Sequence, residues 1–221
     1  MSFNVLNLYA GIGGNRRLWE DVEVVAVEYN PEIAAIYQEY FPNDTVIVAD
    51  AHEYLLAHYK EFDFIWSSPP CQTHSRLRHA GKDRFIPKFP DAKLWQEIIF
   101  LKHHAKCPYV IENVIPYYDV FLEPTLKMDR HLFWSNFPIK VIDIDTAEPI
   151  LVGNKRSKSN GKLHEMRYGF NIDNIKSDFK RIIKNNLVNP EIGLAILDQA
   201  RGIKRKSKLK QISILDVADG A

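Results

Sequence analysis

Phe62-Asp63-Phe64-Ile65-Trp66-Ser67-Ser68-Pro69-Pro70-Cys71-Gln72 reads as a buried strand that stops abruptly. Phe62 to Trp66 is a short, mostly apolar run rich in aromatic side chains, which suits a pleated, covered surface. Pro69 and Pro70 end it, because each fixes φ at about −65° and lacks an N–H for the ladder. Cys71 therefore sits on a stiff loop at a strand's carboxyl end, beside Gln72, Thr73, His74 and Ser75. Open α/β sheets hold their ligands at such strand ends. A bare cysteine is ordinarily a small buried hydrophobe, but the loop position sets Cys71 apart as a candidate nucleophile. Cys107, next to Pro108 and before a strand, has no such setting.

The flanking sequence alternates strand-like and helix-like segments up to about residue 140. Phe3 to Tyr9 is a strand, followed by the turn Gly11-Ile12-Gly13-Gly14, and Asn15 to Glu20 opens a helix. Val22 to Glu28 is a second strand. Asn30 caps a helix whose first residue is Pro31 and whose apolar face is Ile33, Ile36, Tyr37 and Tyr40. Thr45 to Ala49 is a third strand, ending at Asp50, and Glu53 to Tyr59 is helical. Lys93 to His104 is a long amphipathic helix, and Tyr109 to Ile111 a fifth strand ending at Glu112-Asn113. Leu132 to Trp134 and Lys140 to Ile144 are further strand candidates. Repeated βα units predict an α/β fold with a doubly wound, mostly parallel sheet. Beyond about residue 145 the pattern weakens. Asn154 to Lys162 is a polar, basic loop, Asn189-Pro190-Glu191 starts a helix over Ile192 to Ala200, and Lys204 to Lys210 is a basic run.

Composition narrows the class. The chain has 221 residues, 46% hydrophobic and 26% charged, with a net charge of +1, so any nucleic-acid surface is local. Two cysteines are too few for a disulfide framework or a cysteine-rich zinc site, and no metal is expected. Met1 to Gly14 has no basic leader and only a short apolar run, so neither a signal peptide nor a membrane span is expected.

Three motifs carry chemistry. Leu8-Tyr9-Ala10-Gly11-Ile12-Gly13-Gly14 lets backbone approach a ligand closely, with free N–H groups behind it. Glu28 and Asp50 end the next two strands, where carboxylates can accept from ribose hydroxyls and an adenine amino group. The turn is neither GxxxxGK[ST] nor GxGxxG, which points to an adenosyl ligand without phosphates. Pro69-Pro70-Cys71-Gln72 is the second motif. Ile111-Glu112-Asn113-Val114 is the third: parallel strands put Glu112 on the same sheet edge as Cys71, Asp50 and Glu28, where a glutamate can give a proton to a ring nitrogen.

In this order the three motifs resemble the DNA (cytosine-5) methyltransferase family, compact bacterial or phage type, over roughly residues 4 to 200. Tyr9 to Gly14 is similar to that family's cofactor motif, with Tyr9 in the place of a phenylalanine. Glu28-Tyr29 resembles its acid–aromatic pair, Asp50 its adenine-side acid followed by Ala51 and His52, and Pro70-Cys71-Gln72 its catalytic loop. Glu112-Asn113-Val114 resembles its Glu-Asn-Val motif. Asn186-Leu187-Val188, followed by Pro190, resembles the late segment that returns to the cofactor pocket. The family's two spaced arginines are matched only by Arg130, with His131 beside it.

The resemblance implies a Rossmann-like, class I fold binding S-adenosyl-L-methionine (AdoMet) and releasing S-adenosyl-L-homocysteine. It implies an AdoMet-binding catalytic domain over 1–144, a very small target-recognition region over 145–185, and a returning helix with a basic tail over 186–221. Cys71 would attack C6 of a flipped-out cytosine, Glu112 would stabilise the adduct at N3, and Asn113 and Pro70 would shape the pocket. Arg130 and His131 are the candidates for contact with the flipped cytosine's carbonyl and phosphate. Gln72, Ser75, Arg76, Arg78, Lys82 and Arg84 lie on a loop expected to close on DNA, and Lys155, Arg156 and Lys158 are candidate phosphate contacts. Double-stranded DNA is the implied partner of a cytoplasmic, nucleoid-associated monomer. A restriction–modification role, with a cognate endonuclease encoded nearby, belongs to the same expectation. An RNA (tRNA) cytosine-5 methyltransferase and a catalytically silent DNA-binding homologue are the alternatives. Intact Cys71 and Glu112 speak against the silent form.

Overall fold

The computed structural model describes residues 2–76, 80, 86–128, 130–140, 168–171, 180, 183 and 187–204. Its strands are β1 (Phe3–Leu8), β2 (Val22–Glu28), β3 (Thr45–Val48), β4 (Phe64–Ser67), β5 (Tyr109–Val114), β6 (Leu126–Met128) and β7 (His131–Ser135). Its helices are α1 (Pro31–Tyr40), α2 (Ala51–His58), α3 (Lys93–His104) and α4 (Pro190–Ala200). The strands form one sheet in the order β3-β2-β1-β4-β5-β7-β6. β1 to β5 run parallel, and β7 and β6 add an antiparallel edge. This is a Rossmann-like, doubly wound and mostly parallel arrangement, as the repeated βα units predict.

Period-two alternation sorts the strands' side chains onto two faces. Register sets Val5 beside Val24 and Phe64, and Trp66 beside Val110. All five enter one core cluster with Trp19, Phe133 and the α4 side chains Ile192, Ile196 and Leu197. Leu6, Leu8, Val27, Ile65 and Ile111 face the other way, onto Leu55 of α2 and Leu94, Ile98 and Leu101 of α3. β4 is buried at every position, as expected of a central parallel strand with helices on both faces. Each such side chain contributes roughly 1.5–3 kcal/mol by leaving water.

Helix starts follow their caps. Asn30 Oδ1 accepts from the N–H groups of Glu32 and Ile33, with Pro31 in the first turn. Asp50 caps α2, and Asn189 caps α4 with Pro190 next. α3 lacks a side-chain bond from its cap residue Ala92, but Asp91 Oδ1 accepts from Lys93 N–H.

Two segments differ from the sequence reading. Asn15 to Glu20 forms no helix but a string of three-residue turns, with N–H groups of Arg16, Arg17 and Trp19 donating to Gly13, Gly14 and Arg16. The chain must reverse at Asp21, φ +54°, into a strand beginning at Val22, leaving no length for α-helical turns. Arg16 instead makes two hydrogen bonds to the buried Asp44, which also accepts from Tyr37 Oη. The short strand β6 was not anticipated. The candidate strand Lys140 to Ile144 lies outside the described residues after Lys140. Among the described residues no helix is long and apolar enough to cross a membrane.

Candidate active site

β1 runs on to β2 and β3 on one side, and the chain then returns to lay β4 and β5 on the other. A crevice opens where the strand order reverses, beyond the carboxyl ends of β1 and β4. A cavity of ≈ 410 Å³ lies there, lined by the glycine turn, Glu28, Tyr29, Asp50, Pro70, Cys71, Gln72, Glu112, Asn113 and His131.

The turn after β1 needs its glycines for different reasons. Gly11 has φ +55° and open space where a Cβ would stand. Gly13 has φ +84°, and a Cβ there would collide with the Phe41 ring. A Cβ on Gly14 would lie 2.6 Å from Leu187 Cδ2 and 2.8 Å from the Val188 carbonyl oxygen. The 187–188 segment thus packs directly under the turn. Tyr9 also has φ +55°, a conformation that costs a residue with a Cβ on the order of 1 kcal/mol.

Two acids follow. Glu28 is held by backbone: Oε2 accepts from Gly11 N–H at 3.0 Å and Oε1 from Asn30 N–H at 2.9 Å. Tyr29 beside it is 76% exposed, an unusual position for a large aromatic side chain. Asp50 Oδ1 accepts from the N–H groups of His52 and Glu53, and Oδ2 from Lys93 Nζ at 2.8 Å. The Lys93 bond, helped by those N–H groups, lowers the Asp50 pKa. Ala51 lines the cavity, whereas the His52 ring turns to Glu97 of α3, with Nδ1 3.0 Å from Oε1.

The opposite wall comes from β4, β5 and β7. Asn113, buried at the end of β5, donates from Nδ2 to the Pro69 carbonyl at 2.8 Å and fixes the proline turn to its neighbour strand. His74 and Ser75 N–H groups both donate to the Cys71 carbonyl at 3.0 Å, so the chain turns tightly past the thiol. Burial pushes the Cys71 thiol up to about 11; the Glu112 carboxylate adds to this and Arg130 works against it. Glu112 is buried, and its Oε1 lies 3.4 Å from His131 Nε2. Arg130 itself is exposed, its carbonyl accepting from Ile115 N–H. Ser75 bridges to Pro116, and Arg76 Nε donates to the Pro116 carbonyl.

Sequence reasoning missed what α3 brings to the site. Lys93 reaches Asp50, and one turn later Glu97, fully buried, accepts from Tyr9 Oη and Ser67 Oγ. The signal was present: Glu97 falls on the apolar face of Leu94, Ile98 and Leu101, where a carboxylate is out of place. Arg78, Lys82, Arg84, Lys155, Arg156, Lys158 and Asn186 lie outside the described residues.

The model of the C-5 cytosine-specific DNA methylase family matches residues 3–115, just over half of the chain. The chain belongs to this family. No curated protein matches it in sequence. Among solved structures it is similar to a mutant of DNMT2 from Spodoptera frugiperda, at 27% identity and TM-score 0.36, over 51% of this chain and 36% of that one. It is also similar to the Entamoeba histolytica methyltransferase EhMeth, at 18% identity and TM-score 0.34, over 52% and 38% of the two chains. A SAM-dependent methyltransferase from Agrobacterium tumefaciens aligns at 14% identity and TM-score 0.38, over 53% and 40%. The aligned parts thus span well under half of each of these structures. Within the family's framework, β1 to β5 and the whole stretch from Phe3 through Glu112-Asn113-Val114 fall inside the matched residues.

Proposed function

We propose that this C-5 cytosine methylase family member transfers a methyl group from AdoMet to C5 of a flipped-out cytosine in double-stranded DNA, with Cys71 as a transient nucleophile at C6. One observation carries the reading: Cys71 and Glu112, on adjacent strand ends, share a single cavity with Glu28 and Asp50. A nucleophile and a proton partner for a heterocycle thus face an adenosyl-type pocket.

The residues fit AdoMet. A Cβ at Gly11 would project into open space, consistent with a cradle for ligand. Glu28 keeps lone pairs for ribose hydroxyls after its two backbone bonds, and Asp50 can accept from an adenine amino group. AdoMet, when bound, supplies an electrophilic methyl group. The chain's own residues do the rest. The Cys71 thiol gives up its proton to water as its sulfur bonds to C6, and the C5–C6 π pair moves onto C5. Glu112, whose Oε1 lies 3.4 Å from His131 Nε2, gives a proton or hydrogen bond to N3, stabilises the electron-rich ring, and takes that proton back from N3 as aromaticity is restored. After C5 is methylated it loses its proton to water, the C5–H bonding pair re-forms the C5–C6 double bond, and the Cys71 sulfur leaves with the C6–S pair and takes up a proton. The flipped base must leave the duplex stack to reach this site.

Residues 145–185 would read the target, with Lys155, Arg156 and Lys158 on phosphates, and a restriction–modification role would follow. Duplex DNA carrying 5-fluorocytosine tests the chemistry. The expected result is a protein–DNA adduct that needs AdoMet, mapped to Cys71, and none with Cys71→Ser, which should still bind AdoMet. Loss of AdoMet binding together with the adduct would instead assign Cys71 a structural part.

A further inference from the structure

Glu97 is fully buried in α3, yet it holds three segments that are remote in sequence. Oε1 accepts from Tyr9 Oη at 2.5 Å and lies 3.0 Å from His52 Nδ1; Oε2 accepts from Ser67 Oγ at 2.6 Å. Tyr9 opens the glycine turn in a left-handed conformation, and its hydroxyl is the far end of that strained residue. His52 follows Asp50 by two residues, and Ser67 ends β4, from which the Pro69-Pro70-Cys71 turn departs. A leucine at this position would fill the core without desolvating a charge, so a carboxylate here calls for another explanation than packing. Lys93, one turn earlier, holds Asp50 from the same helix. Tyr9 stands where the family resemblance expects phenylalanine, and its extra oxygen is the one bonded to Glu97.

We propose that Glu97 is a positioning residue that locks the glycine turn, the start of α2 and the end of β4 into one geometry, so that the adenosyl pocket and the Cys71 turn are held as a unit. This rests on the methyltransferase reading. The charges facing His52 are Glu97 and Lys93 from α3 and Asp50 at the start of its own helix. Glu97 attracts a proton to His52, whereas the amide introduced by Glu97→Gln would turn its NH₂ away from a protonated ring and donate to a neutral one.

The test measures AdoMet affinity by calorimetry, and the rate of 5-fluorocytosine trapping at saturating AdoMet, in wild type, Glu97→Gln and Tyr9→Phe. Glu97→Gln should bind AdoMet and trap DNA roughly tenfold less well near pH 6, the scale of a lost charged hydrogen bond, with the defect shrinking toward pH 9 as His52 loses its proton. Tyr9→Phe should weaken both by about threefold or more at either pH. A Glu97→Gln protein that matches wild type in both, or that is impaired equally at both pH values, overturns the proposal and leaves Glu97 a packing residue. Should Glu97→Gln not fold, unchanged binding and trapping by Tyr9→Phe overturns it as well. A wild type that binds no AdoMet removes the methyltransferase reading itself, and the proposal with it.

Discussion

Cys71 presents a chemical tension at the scale of one residue. Nucleophilic attack needs a thiolate, yet burial and the neighbouring Glu112 hold the thiol at about 11. In the free protein at neutral pH it is therefore a thiol, protected from adventitious alkylation and oxidation. In the proposed mechanism its activation belongs to the complex with the base, when the departing proton is coupled to bond formation at C6. Iodoacetamide labelling followed by peptide mass mapping checks this. Labelling of Cys71 should stay slow at neutral pH and rise with an inflection at about 11, because only the deprotonated form reacts. An inflection at about 8.5, the value of an unperturbed thiol, would show that the pocket leaves Cys71 open. Asp50 illustrates the opposite sign. Its pKa is lowered by Lys93, so the stability it contributes is present above the ordinary carboxylate range and is lost as pH falls through the lowered value.

Elements differed in how far they could be read. The Asn30-Pro31 and Asn189-Pro190 starts were legible because capping is local: the acceptor, the free N–H groups and the proline are near neighbours in the chain. The bounds of α3, Lys93 to His104, were legible from periodicity. The glycine turn and the strand-end acids Glu28 and Asp50 were legible for the same reason, since a βα unit places them by itself. The failed helix at Asn15 to Glu20 depended on Asp44, held by Tyr37, which meets Arg16 only in the folded chain. The partners of Glu97 lie 30 to 88 residues away, beyond any local pattern. α4 is another nonlocal case. A Cβ on Gly193 would collide with the Asn15 carbonyl oxygen, so the helix docks backbone to backbone behind the glycine turn. Gly193→Ala should cost about 2 kcal/mol or more in urea unfolding despite its gain in helix propensity, since the obstructing atom is main chain. A stabilised variant would mean that α4 does not pack as described. Weakened AdoMet binding should accompany the loss, because Leu187 and Val188 lead from this helix into the cavity wall.

For the whole molecule, the division of labour follows from the sheet. Its reversal between β1 and β4 opens one crevice, and the same five parallel strands supply the acids on one side and the thiol and glutamate on the other. Family membership covers residues 3–115, which hold the glycine turn, both acids, Cys71 and Glu112. The basic segment Lys155 to Lys158, proposed to meet DNA, lies beyond that stretch, and a net charge of +1 leaves the contact to local patches rather than to a general field. DNA rather than RNA as substrate is the central claim. Incubation with AdoMet and duplex DNA, followed by bisulfite sequencing, tests it most directly, with tRNA treated in parallel. The predicted result is protected cytosines in duplex DNA within one short recurring sequence context, and none with Cys71→Ser. Fully converted DNA from a folded, AdoMet-binding protein, or protection confined to tRNA, would contradict it.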